Sequence, residues 1–180
     1  MGEFWKRLIF GALFVIVVLG SIILGRYAAS LMLMLVVMMA SSEIANLFPH
    51  EQNKSLKDVV ECCSVMLFVF FFVLSRNFDS IESGIYIAPI FFFVPLLMAL
   101  FSKKHDYVSL VGASWLSMIF VAMPCGIMTL FYNEELMGTD KGWVLLIFAY
   151  ILIWVNDIFA YLTGSAIGRH KLCPRISPKK

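Results

Sequence analysis

Asp157 has the strongest claim to chemistry in this chain. Thirteen residues, 143–155, pass without a charge before Asn156 and Asp157 arrive together. On a helix, offsets of four, seven, eight and eleven place Tyr161, Gly164, Ser165 and Gly168 on the face of Asp157. An acid, a phenol and a hydroxyl along one stripe make a narrow, polar face in an otherwise apolar segment. Gly164 and Gly168 form a small-xxx-small pair that admits close approach of another helix. Two readings fit: a polar cavity opening to the cytoplasm, or a structural hydrogen bond from Asp157 to a neighbouring helix.

Directly after the stripe come Arg169, His170, Lys171, Arg175, Lys179 and Lys180, interrupted by Pro174 and Pro178. Two prolines exclude a continuous helix, so this is a basic, turn-rich loop. Cationic side chains gathered in that way can cradle phosphate groups. They can equally be a juxtamembrane segment drawn to anionic lipid, at about 1 kcal/mol per basic residue.

Other expensive residues are fewer. Glu43 follows Ser41 and Ser42 and precedes Asn46, and Glu61 opens a later apolar run. A carboxylate inside a membrane costs a few kcal/mol, so it faces protein or water. His50, His105 and His170 fall in separate loops and make a poor metal site. Cys62, Cys63, Cys125 and Cys173 have neither a disulfide framework nor zinc-site spacing. Pro89, Pro95 and Pro124 each remove a backbone donor inside an apolar segment, and the Pro-Cys-Gly run at 124–126 is where a kink is expected.

The elements that carry these residues follow from composition. The chain has 180 residues, of which 61% are hydrophobic and 14% charged, with a mean hydropathy of +0.90. A soluble domain would be about one-quarter charged. Six segments approach the roughly 20 apolar residues that cross a bilayer: 8–24, 28–48, 59–75, 84–101, 108–131 and 143–164. The expected fold is therefore an all-α integral membrane protein, a polytopic bundle of about six transmembrane helices over residues 1–168, followed by a basic loop at 169–180. The first two segments are separated only by Gly25, Arg26 and Tyr27. Merged they would extend about 60 Å, twice the bilayer core, so a tight helical hairpin is expected. The N-terminal run is too long for a signal-peptide core and lacks a small-residue cleavage site.

Loop charges give an orientation. Lys6, Arg7, Lys54, Lys57, Lys103, Lys104, Arg169, Lys171, Arg175, Lys179 and Lys180 fall on one side, against Arg26, Arg76 and Lys141 on the other. The positive-inside rule puts the first group, and the basic tail, in the cytoplasm. Compactness suggests a prokaryotic inner membrane. No basic, aromatic-interleaved surface points to nucleic acid.

Residues 156–180 resemble the phosphatidate cytidylyltransferase (CDP-diacylglycerol synthase) family. The resemblance rests on Asp157, Ala160-Tyr161, Gly164, Gly168-Arg169, Lys171-Leu172 and Ser177-Pro178-Lys179-Lys180. Asn156-Asp157-Ile158 is similar to the branch that includes eukaryotic members, whereas many bacterial members have Thr-Gly in place of Ile158-Phe159. Family sequences continue past the Ser-Pro-x-Lys step into a signature with further acidic residues. The chain thus looks like the N-terminal two-thirds of such an enzyme, ending mid-motif.

The resemblance implies an enzyme of phospholipid biosynthesis that transfers CMP from CTP to phosphatidic acid, giving CDP-diacylglycerol and pyrophosphate, and that acts as a homodimer. It implies Mg2+, with Asp157 among the ligands and the others beyond Lys180. Asp157, Asn156 and Lys179 would be catalytic. Tyr161, Arg169, Lys171, Ser177 and Lys180 would bind substrate: Ser177 and Lys180, with Lys179, would contact the nucleotide phosphates, while Arg169 and Lys171 would hold the lipid phosphate or anchor the loop. Three other readings stay open: a CTP-dependent polyprenol or dolichol kinase, an ion-coupled transporter using Asp157, and a non-catalytic scaffold.

Overall fold

The computed structural model describes residues 3–48, 53–76, 84, 86–101 and 107–167. Its regular elements are α1 (Glu3–Ile23), α2 (Arg26–Asn46), α3 (Asn53–Leu74), a 3₁₀ helix (Ala88–Phe93) running into α4 (Val94–Phe101), α5 (Tyr107–Ser117), a π turn (Met118–Ala122), α6 (Met123–Leu130), α7 (Glu134–Met137) and α8 (Gly142–Ile167). No strand occurs among the described residues. The chain is an all-α integral membrane protein. Among the described residues, three helices are long and apolar enough to cross a bilayer: Arg26–Asn46, Tyr107–Leu130 and Gly142–Gly164.

The first hairpin breaks at Leu24 and Gly25. Gly25 has φ 110° and ψ −178°, a backbone conformation essentially confined to glycine. Leu24 N–H still bonds to Gly20 C=O at 2.9 Å, and Ala29 N–H bonds to Gly25 C=O at 3.0 Å. One helix therefore ends and the next begins with almost no intervening chain.

The core is α2, α3 and the α5–α6 helix. On α2 the buried residues include Ala29, Leu33, Val37, Ser41 and Ala45, a strict four-residue repeat. That narrow, partly small-residue stripe admits α3 closely, as membrane helix pairs require when packing replaces the hydrophobic effect. From α3, Cys63, Leu67, Phe68, Phe71 and Leu74 meet Leu33, Val37, Met118 and Ala122 in one cluster. A second cluster joins Ala45, Leu56, Val60, Leu110 and Ala113. Gly126 allows Phe71 to seat, because a Cβ there would lie 2.7 Å from the Cβ of Phe71.

The prolines act differently from simple kinks. Residues 88–101 hold Pro89 in a 3₁₀ helix and Pro95 at the start of α4. Six residues at about 2.0 Å and eight at about 1.5 Å give roughly 24 Å for these fourteen residues, and helical backbone is also described at Gly84, Tyr86 and Ile87 just before them. Around Pro124 the irregularity lies one turn earlier. Met123 N–H bonds to Met118 C=O, five residues back. Pro124 has no proton for the carbonyl of Phe120, and the wider π turn absorbs that missing bond. α3 carries Lys57, Asp58 and Glu61 within its first three turns, ahead of the apolar stretch that packs in the core.

Candidate functional site

α8 positions the Asp157 stripe and has two unlike halves. Its start is set by a turn in which Lys141 N–H bonds to Thr139 Oγ1 at 3.2 Å and Val144 N–H to Lys141 C=O at 2.9 Å. Leu146 is buried against Val18 and Ile22 of α1, flanked by Trp143, Ile147, Tyr150 and Trp154. Tyr150 and Trp154 rings lie 5.9 Å apart, and the Tyr150 hydroxyl sits 3.5 Å from Met128 Sδ. Beyond Trp154 the packing ends.

Residues 155–164 are all exposed. Tyr161 is 75% exposed, and nothing lies within 4 Å of the position a Cβ would take at Gly164. Helical backbone continues to Ile167, so Asp157, Tyr161, Gly164 and Ser165 share one face by register. Thr163 turns its hydroxyl back to Phe159 C=O at 2.7 Å. Asn156 and Asp157 have no side-chain bond among the described residues. The expected close approach of a helix to Gly164 is not made by any described element, nor do described residues wall a cavity here. The stripe is an open surface of donors and acceptors. Arg169, Lys171, Ser177, Lys179 and Lys180 lie outside the described residues.

Glu43 and Asn46 are also exposed, and Glu61 is half-buried. No group of three or more His, Cys, Asp or Glu side chains is placed to hold a metal among the described residues. Asp157 with Asn156 offers one carboxylate and one amide oxygen, which suits a hard cation completing its shell from water and substrate oxygens.

Two polar constellations escaped the sequence reading. Inside the core, Ser64 Oγ bonds to Ser117 Oγ at 2.8 Å, and Ser117 Oγ bonds to Ser41 Oγ at 2.8 Å. All three serines are fully buried, and together they tie α3, α5 and α2. Ser41 was visible only as a neighbour of Glu43; its partner Ser117 lies 76 residues further on, and Ser117 in turn bonds to Ser64, 53 residues back, so the chain of hydroxyls leaves no local signal.

The second lies at the end of the bundle where α2 begins and α3 and α6 finish. Arg26 donates to Tyr132 C=O, and the Tyr132 hydroxyl donates to Ile22 C=O at 2.9 Å. Burial, helped by the neighbouring Tyr150, pushes the Tyr132 phenol up to about 12. Asn133 accepts Leu136 N–H at 2.8 Å, capping α7, while its Nδ2 donates to Ser75 C=O at 3.1 Å. Asn followed by two acids is an N-cap signal that the sequence did carry.

A sequence profile of the cytidylyltransferase family matches residues 5–180. The match begins in α1 and runs through the Asp157 helix. The chain belongs to the cytidylyltransferase family. It is similar to the phosphatidate cytidylyltransferase of Bacillus subtilis, 28% identical over 186 aligned residues that cover 100% of this chain and 65% of the relative. It is similar to the phosphatidate cytidylyltransferase of Haemophilus influenzae, 34% identical over 82 residues, or 46% of this chain and 27% of the relative. The Rickettsia bellii phosphatidate cytidylyltransferase is 25% identical over 99 residues, or 53% of this chain and 41% of the relative. The chain thus spans about two-thirds of the length of the Bacillus relative and less of the others. No solved structure matches it.

Proposed function

We propose that this chain is part of a phosphatidate cytidylyltransferase, which transfers CMP from CTP to phosphatidic acid and releases pyrophosphate. The observation that carries this reading is the family match through residues 5–180, with relatives that bear that name. A phosphate oxygen of the lipid attacks the α-phosphorus of CTP and forms the new P–O bond, while the bond to pyrophosphate breaks. Both reactants are anionic, so the enzyme's work is in-line positioning and charge neutralisation.

The open stripe on α8 suits that work. Asp157 and Asn156 present exposed oxygens that would hold Mg2+, joined by further acidic ligands of the whole protein. When bound, Mg2+ would supply charge neutralisation at the phosphates. Lys179, Lys180 and Ser177 would bind the nucleotide phosphates, and Arg169 and Lys171 the lipid phosphate. Tyr161, one turn beyond Asp157 on the same face, would border the substrate. The basic tail then lies on the cytoplasmic side, at the prokaryotic inner membrane, where CTP is available. The exposed face of α8 and the family resemblance support a homodimer as the working unit.

The test is product analysis with the full-length protein in phosphatidic-acid vesicles, given CTP labelled at the α- or the γ-phosphate. Label from the α-phosphate in lipid, with pyrophosphate released, is the expected result. Label from the γ-phosphate in lipid, with CDP released, would overturn it in favour of a kinase.

A further inference from the structure

The opposite end of the bundle holds charges that the proposed reaction does not use. Around Gly25, the α1–α2 turn and the 132–140 segment enclose an open cavity of about 470 Å³, lined by Leu24, Arg26, Tyr27, Tyr132, Glu134 and Asp140. That volume is within the ~300–1,000 Å³ of small-ligand sites. Fifteen residues of α8 separate Gly142, at this end, from Asp157. At about 1.5 Å each they put the two regions some 22 Å apart.

The charges in the cavity are not spent on one another. Among the described residues, Arg26 bonds only to Tyr132 C=O, and Asp140 only to the Thr139 hydroxyl, at 3.4 Å. Glu134 has no ion-pair partner there, and neither acid pairs with Arg26. A half-buried guanidinium facing two carboxylates in one cavity fits poorly with a simple ion. Two acids repel a lone anion, Arg26 repels a lone cation, and there is no third ligand for a metal among the described residues. A ligand that carries both signs satisfies all three groups.

The walls say that such a ligand is attached to acyl chains. Leu24 is 81% exposed and Tyr27 68%, and they continue onto the exposed apolar side chains of Ile23 and Leu31, 62% and 61% exposed. We propose that this cavity binds the headgroup of a zwitterionic phospholipid bearing a primary ammonium, its phosphate on Arg26 and its ammonium on Glu134 and Asp140. Arg26 presents a fork suited to phosphate oxygens. The carboxylates accept N–H bonds from a primary ammonium, which a quaternary ammonium cannot donate.

The test titrates the full-length protein in detergent with dioleoyl phosphatidylethanolamine or dioleoyl phosphatidylcholine and counts bound lipid by native mass spectrometry. The ethanolamine lipid is expected to bind about fivefold or more tightly. Glu134→Gln with Asp140→Asn should bring the two lipids to equal affinity. Both side chains are exposed, so this double variant keeps the fold. Arg26→Gln should weaken both lipids together. Equal binding of the two lipids by the unaltered protein, or a preference that survives the double variant, would overturn the proposal. So would soluble phosphoethanolamine binding as tightly as the lipid, because the acyl chains would then contribute nothing.

Discussion

The serine chain of the core and the outer half of α8 both place polar side chains in apolar helices, and the fold treats them oppositely. Ser41, Ser117 and Ser64 are fully buried and bonded to one another at 2.8 Å. Asn156, Asp157 and Tyr161 are exposed and, among the described residues, unbonded. Hydroxyls are neutral and both donate and accept, so three of them can close a network with nothing left over. A carboxylate only accepts, and in an apolar medium its charge demands a cation or water. What the fold satisfies internally is structure. What it leaves open on a 26-residue helix awaits a ligand or another surface.

The sharpest way to break that contrast is Asp157→Asn in the full-length protein. The amide keeps the shape and removes the charge. CMP transfer from CTP to phosphatidic acid should fall roughly 100-fold, as for lost metal-site residues, while the melting temperature moves by no more than about 1 °C. Activity that survives would remove the charge-based role of Asp157. A large loss of thermal stability at full specific activity would make Asp157 a structural residue like the serines.

Ser117→Ala probes the other side. It removes the central hydroxyl, so Ser41 and Ser64 lose a shared partner, although Ser64 keeps its bond to Val60 C=O at 2.8 Å. Interhelical bonds of this kind within membranes contribute about 0.6 kcal/mol each, and up to ~1.7. A destabilisation of about 1 kcal/mol is expected, with turnover per folded molecule unchanged. The double variant Ser41→Ala, Ser117→Ala should cost less than the sum of its parts, since both remove the same bond. Strict additivity in thermal or denaturant unfolding would mean that the 2.8 Å contact carries no coupling.

Much of this division is written in the sequence, and some of it cannot be. Apolar runs and the Gly25 break announce helices and the first hairpin, because bilayer-length stretches and a residue tolerant of φ 110° are local properties. Asp157 stood out for the same reason, as the first charge after the fifteen uncharged residues 142–156. The short, irregular 88–101 segment was harder. Pro89 and Pro95 signalled disruption, but the choice of a 3₁₀ turn over a kinked α-helix depends on what packs around it. The π turn before Pro124 was displaced from the expected kink at 124–126, since the missing bond is felt at Phe120, four residues back. The serine network and the Arg26–Tyr132 pair join residues that only tertiary structure brings together. Roles for Arg169, Lys171, Ser177, Lys179 and Lys180 rest on the motif alone, because they lie outside the described residues.

The smallest expected effect comes from Tyr132→Phe, and it asks whether the cap near Gly25 is held as firmly as the core. The phenol donates to Ile22 C=O at 2.9 Å, a bond that contributes about 0.5–1 kcal/mol. At pH 7 the variant should melt about 1–3 °C lower. Burial, with Tyr150 nearby, raises this phenol in the folded protein to about 12, from an ordinary value of 10.0. A raised value means that the folded state holds the proton after the unfolded chain has released it. The contribution of Tyr132 is therefore complete below about pH 10 and is lost as pH climbs toward 12. Phenylalanine has no proton to lose, so the gap between the two proteins should narrow across that interval. Melting curves at intervals from pH 7 to 11.5 would read this directly. A gap that stays constant with pH would mean that the Tyr132 hydroxyl reaches water in the folded state, and that the cap is looser than the serine-bonded core.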